Sequence, residues 1–419
     1  MKDQPVGPPD RRASPTTVSS IYVHAPFCAR RCTYCDFAVS VRRTGDADDW
    51  LAAIEAEFAV VRAEGLFEVS DTLDTLYVGG GTPSLLGPDA MEGLARVVGE
   101  ERLHGRGLEW TAEANPESFT PEVADGWARA GVNRISLGAQ TFHEGALRWM
   151  GRLHGPGGPE RALAAARGAG IANVSVDLIF GLPRAVGRSW SDDLARVLDL
   201  DVPHVSLYGL TVEAGTALGR AVREGREPPV DEEQYRDEFI LAAKTLTAAG
   251  YVHYEVSNFA RPGAEARHNS VYWQGRPYLG LGNGAHSYAP PVRRWNARAW
   301  EDYRAAVRDG RSPEESRERV DEKAEKLEAI WLGLRSRGGI SMPRGVSKVK
   351  NRVDGWLERG LAVEEDGRLR LTTEGWLLVD EPAVQRVDDD AATRERNSGG
   401  TIFEHVRTGS PRHGRHRTE

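Results

Sequence analysis

The sequence predicts an α/β protein: an open, partial (β/α)6 barrel of the TIM type, followed by a smaller, winged-helix-like α+β domain. Six short apolar or β-branched stretches alternate with six helical patterns between residues 18 and 250. This alternation is typical of a parallel sheet covered by helices. Six repeats are fewer than the eight of a closed barrel, so we expect an open one. Beyond residue 250, helices followed by a hairpin signal predict the second domain.

The predicted elements of the barrel have recognisable boundary signals. Thr120 and Pro121 form an N-cap followed by proline, and Gly250 follows a helix with its apolar residues on one face. The predicted strands are 21–27, 75–78, 108–113, 134–137, 173–180 and 204–210. The predicted helices are 49–63, 88–101, one beginning at Thr120, 158–168, 189–200 and 235–249.

Composition divides the chain into five segments. The two ends, 1–17 and 386–419, are rich in polar residues and are predicted to be disordered tails. Between them we expect the barrel at 18–250, an aromatic-rich extension completing its cavity at 251–311, and the second domain at 312–385. This domain begins with a charged stretch, 312–322, predicted to be a linker. It continues with helices at 325–337 and 350–359 and a hairpin of strands 361–365 and 367–371.

Charge and hydropathy exclude several classes of protein. The formal net charge of −8 argues against a nucleic-acid binder that works by bulk positive charge. No apolar run approaches the ~20 residues of a membrane span, and the N-terminus lacks the apolar region of a signal peptide. We therefore expect a cytoplasmic protein without an integral membrane segment, in a compartment that keeps thiols reduced.

Glycine, amide, carboxylate or cysteine residues follow or end all six predicted strands. In barrels of this type the chemistry gathers at the carboxyl ends of the strands, so we expect one shared cavity there. The residues concerned are Cys28, the run Gly79-Gly80-Gly81-Thr82-Pro83, Glu113 with Asn115, Gly138 with Gln140, Asp177 with Gly181, and Tyr208 with Gly209.

The three cysteines of the chain are Cys28, Cys32 and Cys35, spaced C-x3-C-x2-C. Thiolates are soft ligands that suit iron–sulfur clusters or zinc. Three of them cannot fill the four corners of a [4Fe–4S] cube, so one iron would be open to another molecule. A zinc site with His24 and a disulfide with an odd cysteine are the alternatives. The chain has no second cysteine pair and no secretory signal, and this favours the cluster.

The sequence YVHAPFCARRCTYCDF, together with the glycine run at 79–83, resembles the radical S-adenosylmethionine superfamily. The resemblance implies that Cys28, Cys32 and Cys35 bind three irons of a [4Fe–4S] cluster and that S-adenosylmethionine chelates the fourth. One electron from such a cluster cleaves the sulfonium and gives a 5′-deoxyadenosyl radical. The scaffold would thus be able to cleave S-adenosylmethionine.

The same resemblance implies which residues hold S-adenosylmethionine. Tyr34 would lie near the adenine, although it could also be a packing aromatic. Glu113 would bond the ribose hydroxyls, or else be an exposed acid. Asp177 stands in an apolar run, where a carboxylate is costly to bury without a partner. The full implied set is Tyr22, Tyr34, Gly80, Gly81, Thr82, Glu113, Gln140, Arg152, Asp177 and Gly209.

Further blocks narrow the resemblance to one family. Segments 21–37, 79–84, 134–142, 176–183, 254–263, 267–273 and 280–287 resemble the oxygen-independent coproporphyrinogen III oxidases and their haem-chaperone relatives of the HemW type. Oxidases of this family carry a fourth cysteine two residues after the third, where this chain has Phe37. The run from His268 to Trp273, HNSVYW, fits the H-N-x-x-Y-W motif associated with the chaperones.

The resemblance therefore implies a haem chaperone that binds haem and hands it to an acceptor protein. The alternative is an oxidase that converts two propionates of coproporphyrinogen III to vinyl groups. Because histidine is a common axial haem ligand, we expect His268 to bind haem; a hydrogen-bonded wall histidine is the other interpretation. The resemblance also implies an electron donor such as a flavodoxin or ferredoxin. Arg30 and Arg31 would meet an acidic donor or remain solvated, and a homodimer stays open.

Overall fold

The computed structural model describes residues 14–105, 107–342 and 347–379. Within them the strands are β1 Thr16–Val18, β2 Ser20–Ala25, β3 Phe27–Cys28, β4 Ser40–Val41, β5 Phe67–Val69, β6 Thr75–Gly80, β7 Glu109–Ala114, β8 Arg134–Gln140, β9 Asn173–Phe180, β10 His204–Gly209, β11 Val252–Glu255, β12 Asn258–Ala260, β13 Leu279–Leu281, β14 His286–Ala289, β15 Val292–Asn296, β16 Glu314–Arg319, β17 Ile340–Ser341, β18 Ala362–Glu365 and β19 Arg368–Leu371.

The helices complete the βα repeats and the second domain. They are α1 Ala47–Glu64, α2 Ala90–Val98, α3 Pro121–Ala130, α4 Glu144–Met150, α5 Gly158–Gly168, α6 Trp190–Asp199, α7 Ala217–Arg223, α8 Glu232–Ala248, α9 Arg267–Trp273, α10 Trp300–Arg308, α11 Glu322–Leu334, α12 Ser347–Glu358 and α13 Thr373–Leu378. In the described part of the chain no helix is long and apolar enough to cross a membrane.

A nine-stranded sheet organises the barrel, in the order β11-β12-β10-β9-β8-β7-β6-β2-β13. The six predicted strands, β2, β6, β7, β8, β9 and β10, are parallel neighbours in chain order. The predicted α/β fold with a parallel sheet is confirmed. The extension adds three strands to this sheet. The strand β13 pairs in parallel with β2, β12 pairs antiparallel with β10, and β11 pairs antiparallel with β12.

Alternation along each strand separates an apolar outer face from a largely polar inner face. In β9, Val174, Val176 and Leu178 are buried in the main core, where α1, α2 and α3 pack through Trp50, Leu94 and Trp127. Side chains two residues apart share a face of a strand, so Ser175 and Asp177, which alternate with these apolar residues, point to the barrel interior. This alternation explains why a carboxylate such as Asp177 stands within an apparently apolar run.

The extension and the second domain follow the barrel in the chain. The strands β14, β15 and β16 form one antiparallel sheet, and β17, β19 and β18 form another beside α11, α12 and α13. The two regions meet at the β11–β12 turn, where the Val256 N–H donates to the Arg335 carbonyl (2.9 Å) and the Arg337 N–H donates to the Tyr254 carbonyl (2.8 Å). The second domain is thus attached beside the barrel sheet.

Two predicted boundaries are corrected by the structure. The segment 312–322 is not a linker, because 314–319 form β16, paired with β15. Its sequence, EESRER, lacks apolar alternation because ion pairs such as Arg293–Glu318 (2.7 Å) take the place of packing. Residues 16 and 17 belong to β1, which pairs with β5, so order begins before residue 18. The predicted tails at 1–13 and 386–419 lie outside the described residues.

Candidate functional site

The fourteen residues to which the sequence analysis assigned a binding role all line one cavity of about 410 Å³ inside the barrel. Its wall runs from the cysteine loop, over the carboxyl ends of the strands, to α9 and the β11–β12 turn. The residues brought together are Tyr22, Cys28, Cys32, Tyr34, Cys35, Gly80, Gly81, Thr82, Glu113, Gln140, Arg152, Asp177, Gly209 and His268. Gly181, expected at the same edge of the sheet, lines a different cavity.

The cysteine loop leaves β2 and is closed at its base by the short pair β3 and β4. Its middle is anchored to the barrel, since the Thr33 N–H donates to the Met150 carbonyl (3.1 Å) and the Leu218 N–H donates to the Thr33 carbonyl (2.8 Å). The Cys35 N–H donates to the Cys32 carbonyl (3.3 Å), which turns the chain back between the second and third thiols.

Two polar groups reach the sulfur atoms. The Thr82 hydroxyl donates to Cys28 Sγ (3.4 Å), and Arg152 Nη1 donates to Cys32 Sγ (3.6 Å). Burial raises the pKa of Cys28 to about 11 and that of Cys35 to about 12. A bound metal deprotonates such thiols outright, so these side chains suit coordination rather than free nucleophilic chemistry.

The donor set fits an iron–sulfur cluster. Three half-buried thiols in one wall, with donors directed at their sulfurs, are the kind of ligand and surroundings that such clusters use. Within the described residues no group of three His, Cys, Asp or Glu side chains is arranged to hold a single metal ion.

The glycine run after β6 is required by close packing. A Cβ on Gly80, whose φ is +106°, would lie 2.2 Å from the His24 ring. A Cβ on Gly81 would lie 2.7 Å from the Ala25 carbonyl oxygen. Only glycine allows both approaches, which bring the end of β6 against the start of the cysteine loop.

Glu113 is held inside the cavity and is not an exposed acid. Its carboxylate accepts hydrogen bonds from the Tyr77 hydroxyl (2.8 Å) and from the Gly80 N–H (2.9 Å). Burial raises the pKa of Glu113 to about 7. The Tyr77 ring stacks on the Tyr22 ring (6.0 Å) and on the His268 ring (5.0 Å), so the carboxylate is bonded to a tyrosine that packs against two other rings.

Asp177 is supported by serine hydroxyls on its own and the neighbouring strand. Ser136 Oγ donates to it from β8 (2.9 Å), and Ser175 Oγ donates from two residues earlier in β9 (3.1 Å). Burial raises the pKa of Asp177 despite these bonds. The two serine hydroxyls supply hydrogen bonds that lower the cost of burying a carboxylate in this strand.

Gln140 ends β8 in an unusual conformation that turns the chain at the cavity edge. Its φ is +67°, which is uncommon for a residue other than glycine, and a bulge separates it from Gly138. The next two residues are fixed by Asp193, which accepts from the Thr141 hydroxyl (2.7 Å) and from the Phe142 N–H (2.8 Å). Asp193 therefore holds the turn that carries Gln140.

Arg152 connects the cysteine loop with two strand ends. Besides Cys32 it contacts Asn115 Oδ1 (2.7 Å) and the Gly138 carbonyl (2.8 Å) through Nη2. Its Nε has no hydrogen-bond partner although it is buried. A buried guanidinium that reaches a thiol and two strand ends is a suitable contact for an anionic ligand group.

Three further predicted residues, Tyr34, Tyr22 and Gly209, also line the cavity. Tyr34 packs against the apolar cluster of Met150, Ile179 and Leu210, so its ring offers a face to the cavity. The Tyr22 hydroxyl shares a hydrogen bond with His24 Nδ1 (3.0 Å). A Cβ on Gly209 would lie 2.0 Å from the Tyr235 hydroxyl, so any other residue here would displace that ring.

His268 lies on α9, a two-turn helix inserted at the amino ends of β6 and β7. The Glu109 carboxylate accepts from the Arg267 and His268 N–H groups (3.0 and 2.9 Å) and holds the start of the helix. Both ring nitrogens of His268 are hydrogen-bonded, Nδ1 with Thr75 (2.8 Å) and Nε2 with Tyr272 (2.9 Å). As placed, the ring would have to break one of these bonds to ligate iron, which favours the wall-histidine interpretation.

Several wall residues were not predicted from the sequence. Tyr77 and Ser136 line the cavity, as do Glu255 and Asn258, which flank the β11–β12 turn. The two-residue spacing of Tyr77 from Thr75 and of Ser136 from Arg134 marks the inner face of a strand and could have found the first two. No local signal could have found the turn, because its place in the wall depends on how β12 pairs with β10.

Comparison with known proteins identifies the class of protein to which this fold and site belong. Residues 22–194 match the model described as the Radical SAM superfamily. A solved structure of coproporphyrinogen III oxidase (HemN) from Escherichia coli superposes with a TM-score of 0.72, at 23% identity, over 88% of this chain and 89% of that one. Fold and three-cysteine loop together define a radical SAM protein, and this class implies a [4Fe–4S] cluster and S-adenosylmethionine.

More similar relatives define the family within this class. Heme chaperone HemW of Mycobacterium tuberculosis (strain CDC 1551 / Oshkosh) is 37% identical over 91% of this chain and 97% of its own length. Heme chaperone HemW of Bacillus subtilis (strain 168) is 32% identical over 87% and 98%. The chain belongs to the heme chaperone HemW family.

Proposed function

We propose that this protein binds haem and transfers it to an acceptor protein, using a radical SAM scaffold that carries a [4Fe–4S] cluster and S-adenosylmethionine. The observation that carries the proposal is the 37% identity to a heme chaperone over nearly the whole length of both chains. Phe37, which lines the cavity where the oxidases would place a fourth cysteine, supports the chaperone over the oxidase.

In this proposal the cluster and S-adenosylmethionine share the part of the cavity next to the cysteine loop. Cys28, Cys32 and Cys35 would hold the cluster, and the iron without a cysteine would be available to bind S-adenosylmethionine. The backbone around Gly80 and Gly81, the carboxylates of Glu113 and Asp177, and the Arg152 guanidinium supply polar contacts to the amino acid and ribose groups of the cofactor. Tyr22, Tyr34, Thr82, Gln140 and Gly209 complete the wall around it.

Haem would occupy the side of the cavity formed by α9 and the strand that follows it. Tyr272, Trp273 and Tyr278 are partly buried there and line the cavity, and the Tyr272 and Tyr278 rings pack edge to face, 4.7 Å apart. Aromatic faces of this kind suit a flat porphyrin. His268 contributes by fixing Tyr272 through its hydrogen bond and by anchoring α9, rather than by binding iron.

Replacing His268 with alanine separates these two roles. We expect the variant to keep the position of the Soret band on haem titration, because the iron ligand is not lost. The free energy of unfolding should fall by about 2–4 kcal/mol, since a buried stacked ring and two hydrogen bonds disappear. Tyr272→Phe, which removes only one of those bonds, is the matched control and should cost about 1 kcal/mol. A shifted or absent Soret band in His268→Ala with an unchanged one in the control would restore His268 as iron ligand.

The proposed function is tested with the anaerobically reconstituted full-length chain. Haem titration should give a saturable Soret change, and mixing with a haem-free acceptor should move the absorbance to the acceptor. The same protein, reduced and incubated with S-adenosylmethionine and coproporphyrinogen III, should give no protoporphyrinogen IX. Formation of that product would overturn the proposal in favour of the oxidase.

An electron donor is also part of the proposal. Arg30 and Arg31 are exposed on the loop that carries the cysteines. Arg31 Nη2 donates to the Val39 carbonyl (2.9 Å), which leaves its charge at the surface. Two surface arginines beside the cluster suit an acidic donor such as a flavodoxin or ferredoxin, since opposite charges steer association.

A further inference from the structure

The extension reaches back to the chain segment that directly follows the third cysteine. Arg298, just before α10, donates from Nη2 to the Asp36 backbone carbonyl and lies 3.3 Å from the Asp36 carboxylate. Asn283, in the turn after β13, donates from Nδ2 to the Ala38 carbonyl (3.0 Å). The same Nδ2 also contacts the Arg298 carbonyl (2.9 Å), so the two residues act on residues 36–38 as one unit.

This contact gives the cysteine loop two separate supports. On one side Thr33 is bound to the barrel, through the backbone groups of Met150 and Leu218. On the other side residues 36–38 are bound to the extension. Cys35 lies between the two supports, two residues from the first and one residue from the second. Its sulfur position therefore depends on barrel and extension together, whereas Cys28 lies in β3, which is fixed by its pairing with β4.

The segment has additional close contacts with the extension. A Cβ on Gly284, in the turn after β13, would lie 3.0 Å from the Ala38 Cβ. The Ala38 carbonyl is also within 3.1 Å of His24 Nε2, which belongs to β2 of the barrel, so both parts of the protein hold this residue. Asn283 is 1% exposed, whereas the Arg298 side chain is 28% exposed. Arg298 is thus an accessible point at which this support can be removed without opening the core.

We propose that Arg298 and Asn283 are positioning residues for the iron–sulfur cluster: they hold the chain after Cys35 so that the third thiol stays in place. Groups that orient a metal ligand without touching the metal commonly change its retention by about 10–100-fold. The inference uses the cluster of the proposed function but not its haem. It assigns to the extension a second task, at the cluster, besides completing the cavity wall.

The test compares iron release from reconstituted proteins. Arg298→Ala should load a cluster but lose iron to a chelator about tenfold faster than the unchanged protein, under anaerobic conditions. The electron paramagnetic resonance spectrum of its reduced cluster should also change. Arg298→Lys keeps the charge but not the planar guanidinium that places Nη2 against both Asp36 oxygens, and it should give an intermediate rate.

Arg304 offers a closely matched control. It lies on α10 with a side chain that is 27% exposed, and it pairs with Asp49 (2.7 Å) without contacting the cysteine loop. Arg304→Ala should release iron at the rate of the unchanged protein. Equal release rates and spectra for Arg298→Ala and Arg304→Ala, with a cluster loaded in both, would overturn the inference alone. If the protein without any substitution takes up no cluster on reconstitution, both the cluster assignment and this inference are overturned.

Discussion

Cys32→Ser is expected to reduce cluster affinity by more than about 100-fold and to abolish binding of S-adenosylmethionine with it. Cys32 is one of the three cysteines proposed to hold the cluster, and all three cysteines of the chain lie in this loop. A serine hydroxyl is a hard and weakly acidic ligand, and iron–sulfur clusters require soft thiolates. Since the cofactor would be chelated by the open iron of the cluster, loss of the cluster removes its anchor.

The measurement is iron and sulfide content after anaerobic reconstitution, with calorimetric titration of S-adenosylmethionine. Thr33→Ser is the matched control, because it lies in the same turn, keeps its hydroxyl and leaves the backbone bonds to Met150 and Leu218 in place. The control should load and bind as the unchanged protein does. A Cys32→Ser variant with full iron content and unaltered cofactor affinity would refute the assignment of this loop as the cluster site.

Glu57→Gln is expected to become more stable relative to the unchanged protein by on the order of 3 kcal/mol as the pH rises from 4.5 to 8. Glu57, on α1, is 1% exposed and accepts hydrogen bonds from the Gly282 N–H (2.6 Å), the Tyr303 hydroxyl (2.7 Å) and Asn296 Nδ2 (2.5 Å). Burial raises its pKa from 4.5 to about 7, because these bonds offset only part of the lost hydration.

The sign follows from proton binding. Between pH 4.5 and about 7 the folded chain keeps a proton on Glu57 that the unfolded chain has lost, so ionisation costs folding free energy as the pH rises. Buried histidines have the opposite effect. Burial lowers the pKa of His24 to about 4, lowers those of His253 and His268 to about 3, and also lowers that of His204. Their contribution is present in both proteins and cancels in the difference.

Denaturant unfolding of both proteins at several pH values measures this difference. The control is Glu301→Gln, a carboxylate on α10 whose side chain is 64% exposed. Its stability difference from the unchanged protein should stay nearly constant over the same range. A flat difference for Glu57→Gln would show that this carboxylate ionises in the folded protein as it does in water.

The barrel strands could be predicted from sequence because each combines β-branched residues with a polar or glycine-rich end. The strand β16 could not, since charges occupy most of its positions and only its pairing with β15 makes it a strand. The helix α9 was missed for a similar reason. It is seven residues long, and its first N–H groups are satisfied by Glu109, which lies 158 residues away in the chain.

More of the site than of the surrounding fold could be predicted from the sequence. Resemblance identified fourteen residues, and the structure gathers them round one cavity. Sequence could not reveal how individual groups are supported. The serines around Asp177 come from two strands, and the bonds that occupy both nitrogens of His268 come from β6 and from α9 itself. Such partners are set by the register of the sheet and by where α9 enters the barrel.

The strands of the barrel place hydrophobic packing and ligand contacts on opposite faces. Because the outer face supplies most of the burial that stabilises folding, residues on the inner face are under little constraint from the core. Over evolutionary time the lining of the cavity can therefore diverge while the architecture persists. The likeness to the Escherichia coli oxidase, with a TM-score of 0.72 at 23% identity, shows that this architecture tolerates extensive change of sequence.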